Sequence, residues 1–111
     1  MAARFTLSKR SNGEFQFNLV AGNGEKILHS EGYTGKDGCL NGIDSVRRNS
    51  QDDARYARET AKNGKFYFNL KAGNGQIVGT SEMYESEGAR ENGIASVKAS
   101  AHAAELDDTT A

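Results

Sequence analysis

The chain is predicted to be an α+β protein: two tandem β-β-β-α(-β) units forming one antiparallel sheet, with two helices packed on one face about a pseudo-twofold axis. Three observations predict this. The sequence overlays itself without a gap when shifted by 51 residues, with 18 identities between 5–49 and 56–100. Apolar residues alternate with period two through the first part of each copy. The spacing then becomes helical toward each copy's end. Only two copies occur, which suits a duplicated half-domain rather than a solenoid. Residues 1–111 are therefore read as one domain made of repeats 5–49 and 56–100. Residues 50–55 join them, and 101–111 form a tail.

Each repeat opens with three strands, about 4–9, 14–20 and 25–31 in the first and 55–60, 65–71 and 76–82 in the second. Phe15, Phe17 and Leu19 alternate with Gln16, Asn18 and Val20; Phe66, Phe68 and Leu70 alternate with Tyr67, Asn69 and Lys71. One face of each such strand is buried. Asn-Gly pairs at 12–13, 23–24, 63–64 and 74–75 separate the strands. This dipeptide favours a type I′ turn, whose twist suits a hairpin.

Helices are predicted over 35–48 and 86–99. Cys39, Gly42, Ile43 and Val46 share one side of the first, and Ala89, Gly93, Ile94 and Val97 one side of the second. Thr34 with Asp37 reads as a capping box and Ser86 as an N-cap. Gly42 and Gly93 fall in mid-helix, where glycine costs ~1 kcal/mol relative to alanine. Their recurrence implies a close approach of helix backbone to sheet. Ala104–Thr109 read as a short last strand. A ~50-residue unit buries too little surface to be comfortably stable alone, so the two copies are expected to share one core.

These residues are identifiable. FxFNLxAGNGxxI (with Val78 in place of the isoleucine in the second copy), S-E-x-Y and NGIxSV, each written twice from Phe5 to about Ser100, closely resemble the tandem-repeat group of the YegP-like proteins, small bacterial proteins with a domain of unknown function. The resemblance implies a β3-α-β unit used twice, the units completing one sheet and exchanging their last strands. It also implies that single-copy relatives pair as dimers. It brings no activity, cofactor or catalytic residue to carry over. Two local departures bear on packing: Arg58 stands where the first copy has Leu7, and Gly79 where it has Leu28.

Composition narrows the function. Fourteen basic and fifteen acidic residues give a net charge of −1. Residues 1–55 sum to +1 and 56–111 to −2. Neither half is a basic arm, which argues against nucleic acid as a partner. No apolar stretch approaches the ~20 residues of a membrane span. The start, Met1 to Phe5, lacks the apolar run of a secretory leader. With a lone cysteine, Cys39, a cytoplasmic location is expected.

Catalytic constellations are missing. His29, His102 and Cys39 are not duplicated and have no partner at motif spacing, so no metal site, cofactor or catalytic residue is predicted. The Gly22-Asn23-Gly24 and Gly73-Asn74-Gly75 segments lead into strands, where a phosphate loop leads into a helix. Two sets of candidate residues remain. The outward sheet face carries Gln16, Asn18, Tyr67, Asn69 and Lys71, and an interaction with a protein partner is expected there. The matched pairs Glu31/Glu82 and Tyr33/Tyr84 would converge if the copies face each other, forming a small-ligand or weakly enzymatic site on the pseudo-axis. A single-strand nucleic-acid surface is a third reading, with Tyr67 as its one stacking ring. The duplication makes the chain an internal pseudo-dimer, expected to be monomeric.

Overall fold

The computed structural model describes residues 2–110; Met1 and Ala111, the outermost residues of the leader and tail readings, lie outside them. The first repeat holds β1 (Arg4–Lys9), β2 (Phe15–Val20), β3 (Lys26–His29) and α1 (Lys36–Asn49). A single 3-10 turn, Asp53–Arg55, leads into β4 (Tyr56–Thr60), β5 (Phe66–Lys71), β6 (Ile77–Thr80) and α2 (Glu87–Ser100). The last strand is β7 (Glu105–Asp108). All seven strands form one sheet in the order β4-β5-β6-β3-β2-β1-β7.

The hairpins follow from alternation and turn chemistry. Phe5, Leu7, Phe17, Leu19, Leu28, Phe68 and Leu70 are fully buried and share one cluster with Cys39, Ile43, Val46, Ile94 and Val97 of the helices. The turns differ from the expected type I′. Only their glycines take positive φ: 89° at Gly13, 87° at Gly24, 84° at Gly64 and 86° at Gly75. The asparagine before each glycine stays at negative φ, and its Oδ1 accepts the N–H two residues on, as from Glu14 and Lys65 at 3.0 Å. Glycine is needed only at the one left-handed position, the arrangement of a type I turn closed by a glycine bulge.

β3 and β6 stop short of the expected ends for a shared reason. The hydroxyl of Ser30 accepts the Phe17 N–H at 2.9 Å and donates to the Glu31 carbonyl at 2.8 Å; Ser81 does the same with Phe68 and Glu82. A side chain thus replaces a ladder bond. The chain rejoins the sheet at Tyr33, paired with Phe15, and at Tyr84, paired with Phe66.

The helices start differently. Ser86 caps α2 by accepting the Ala89 N–H at 3.0 Å, as expected. The capping box at Thr34 and Asp37 does not form, because Gly35 is the N-cap and no side chain bonds there. Both helices touch strands of both repeats, α1 meeting β2, β5 and β6, and α2 meeting β3 and β5.

Two asymmetries explain the departures between copies. β7 follows a helix and lies parallel to β1, with Phe5 opposite Leu106 and Leu7 opposite Asp108. The sheet is therefore mixed, with its one parallel pair at one edge. The expected exchange of last strands is one-sided: the segment after α1 makes only the 3-10 turn, and the outer edge of β4 stays open. Leu7 beneath β7 is fully buried, whereas Arg58 at the open edge bonds Glu91 at 2.9 Å and Asp53 at 3.2 Å. On the seam between repeats, a Cβ at Gly79 would stand 2.6 Å from Leu28 Cδ2. Leu28 fills the space its twin would need, so only glycine fits there.

Candidate functional site

Helices cover one face of the sheet and leave the other open. Side chains that alternate with the core phenylalanines and leucines point to the open side. Strand register aligns them into a row across the sheet: Asp107, Thr6, Asn18, His29, Thr80, Asn69 and Ala57 are successive cross-strand neighbours. The row holds the expected surface residues Asn18 and Asn69 and their four cross-strand neighbours, Thr6, His29, Thr80 and Ala57. Gln16, Tyr67 and Lys71 flank it, half-buried. Asn69 is only 9% exposed, because the Thr80 hydroxyl donates to its Oδ1 at 2.8 Å. It anchors the row and offers little surface.

His29 and Thr80 sit at the centre of this face, where β3 and β6 meet. Neither was among the residues expected to form the interaction face. The signal was present: they occupy equivalent positions in the two copies, and an antiparallel contact about a pseudo-twofold axis places equivalent residues side by side.

The matched pairs do not converge on one site. Glu31 and Tyr33 line a cavity of 480 Å³ together with Gly32 and with Gly75, Gln76, Ile77 and Val78 of the other repeat. Tyr84 lines a second cavity of 280 Å³ with Ala21, Asn23, Glu25 and Ile27 of the first repeat and with Ala89, Asn92, Gly93 and Ser96 of α2. The two are pseudo-equivalent: each sets a tyrosine of one repeat against the Ala-Gly-Asn-Gly hairpin of the other. Glu82 lines neither.

Each tyrosine ring lies beneath a helix glycine. Tyr33 stacks on Phe17 with centroids 6.4 Å apart, and Tyr84 on Phe68 at 6.3 Å. A Cβ at Gly42 would fall 3.0 Å from Tyr33 Cζ, and one at Gly93 2.6 Å from Tyr84 Cζ. The mid-helix glycines thus make room for tyrosines, and at Gly42 also for Phe17 Cε2 at 3.0 Å. The hydroxyls reach under the helix backbone. Burial, with Cys39 and Glu31 nearby, raises the pKa of Tyr33 above the usual phenol range. Burial, Glu82 and Glu25 do the same for Tyr84.

Cys39 is fully buried in α1, and burial with the Asp108 carboxylate pushes its thiol up to about 11. A thiol so raised is mostly protonated near neutrality and is a poor nucleophile. His29 lies on the opposite side of the sheet. Among the described residues no group of three His, Cys, Asp or Glu side chains could hold a metal ion.

The model of a domain of unknown function, DUF1508, matches residues 11–56 and again 61–108, the two repeats. The chain belongs to this YegP-like family. It is 57% identical over 110 residues to a UPF0339 protein of Shewanella oneidensis, covering 99% of this chain and all of that one. It is 56% identical, with the same coverage, to the UPF0339 protein YegP of Escherichia coli K12. The solution NMR structure of the E. coli protein, described as of unknown function, superposes with a TM-score of 0.93 at 55% identity, over 98% of this chain and 94% of that chain. The S. oneidensis structure gives 0.91 at 57%, over 97% and 92%. These YegP-like relatives indicate no specific function. Among the described residues no helix is long and apolar enough to cross a membrane.

Proposed function

We propose that this YegP-like chain is a non-catalytic cytoplasmic interaction module that binds a protein partner on its open sheet face and does so as a monomer. The observation that carries this reading is the row running in register across all seven strands on the face no helix covers, polar at every position but Ala57 of β4. A row of amides, hydroxyls, one imidazole and one carboxylate is complementary to another protein's polar surface. It is a poor stacking platform for bases, which calls for several exposed aromatics beside basic residues. The raised, buried Cys39 and its separation from His29 support a non-catalytic role.

The test is affinity capture from the native cell, comparing the natural chain with His29→Asp and Tyr67→Asp. A partner is retained by the natural chain, lost with both variants, and retained by Glu105→Lys at the sheet's far edge. An unchanged partner set across all variants overturns the reading. Salt-dependent retention of the natural chain on a phosphate resin, with no protein partner captured, replaces it with nucleic-acid binding.

A further inference from the structure

The two grooves at the repeat junction share a chemistry that is independent of the open face. Each combines a tyrosine edge, an aliphatic wall from the opposite hairpin and an exposed carboxylate: Tyr33, Val78 and Glu31 in the first, Tyr84, Ile27 and Glu25 in the second. The carboxylates come from different positions of the repeat. Gln76 stands in the first groove where the second has Glu25, and Glu31 lines the first groove whereas its counterpart Glu82 does not line the second. Each groove is thus lined by one carboxylate, taken from a different position of the repeat. The carboxylates that bear on the two hydroxyls are Glu31 on one side and Glu82 and Glu25 on the other.

We propose that the two grooves are paired binding sites for an alkylammonium group. The alkyl stem lies along Val78 or Ile27 and the tyrosine ring, and the ammonium meets the carboxylate at the groove's rim. The carboxylate attracts such a cation, and the aliphatic wall with the ring's edge removes its stem from water. The same chemistry is offered by a free diamine and by a lysine side chain of a bound protein.

The experiment is a backbone-amide NMR titration of the full chain with putrescine, with Nα-acetyl-lysine methylamide, and with n-butanol as the neutral analogue. Saturable shifts are expected at Tyr33, Gln76 and Val78 and at Tyr84, Glu25 and Ile27 with both amines, and none with butanol. Glu31→Gln weakens the first groove about tenfold and leaves the second unchanged; Glu25→Gln does the reverse. Each variant is thus the folding control for the other groove. Tighter binding of putrescine assigns the sites to free amines, and tighter binding of the lysine derivative to a protein side chain. Shifts that butanol reproduces, shifts indifferent to both substitutions, or no saturable shifts overturn the proposal. None of these results depends on whether the open face binds a partner.

Discussion

Gly42 and Gly93 are the points where one missing methyl group organises each repeat. An alanine would be favoured in either helix by ~1 kcal/mol, yet its Cβ would meet the tyrosine ring below. Overpacking of this kind costs about 1–3 kcal/mol, so the clash outweighs the propensity gain. Gly93→Ala is expected to lower stability by about 1 kcal/mol, or ~4 °C in Tm for a domain this size. Made in a Tyr84→Leu background, the same change is expected to stabilise. Urea midpoints of the four proteins decide this; equal effects in both backgrounds would separate the glycine from the ring. The recurrence of Asn-Gly in both copies was legible as a demand for space. Its cause was not, because the tyrosine nine residues earlier reaches the helix only after the chain has re-paired at Tyr33 or Tyr84.

Strands one to three of each repeat and both helices follow directly from periodicity, because a buried face leaves a repeating mark in the residues. β7 leaves none: Glu-Leu-Asp-Asp has no apolar alternation, and Leu106 is 45% exposed. What holds this strand is polar. Arg47 donates to the Ala104 carbonyl at 2.7 Å, and the Thr109 N–H donates to the Leu7 carbonyl at 2.9 Å. Lys36 pairs with Asp108, which also accepts from the Thr110 hydroxyl at 2.6 Å and its N–H at 2.9 Å. Lys36, then Thr110, hold the Asp108 carboxyl down at about 2, below the usual ~3.9. A carboxyl depressed in the folded chain contributes stability above its unfolded value, and that contribution is lost as pH falls toward the folded one. Between pH 4 and 2, Asp108→Asn should lose less stability than the natural chain. Denaturant midpoints across that range test this, and parallel slopes would remove Asp108 from the acid response. The exposed position makes the effect smaller in high salt.

The two repeats share one interior at every level: both helices touch strands of both halves, β3 pairs β6 across the seam, and β7 closes the flank of β1 from the other half. Fragments 1–50 and 51–111, prepared separately at high dilution, are each expected to melt without a cooperative transition. Circular dichroism checks this, and a sharp melt from either one would show that a half can stand alone. Duplication made the shared core legible from residues alone. The location of the axis was not, and the candidate pairs depended on it: Tyr33 and Tyr84 each face the opposite hairpin instead of each other.

Leu28 beside Gly79 makes the halves non-interchangeable. A chain built from two first halves would bring two leucines onto one spot, and one built from two second halves would leave a hole there. Whatever ancestor carried the same residue twice has been left behind, and neither half can now serve as template for the other. Recombination between the two related stretches of its gene would yield a product that misfits at its own centre.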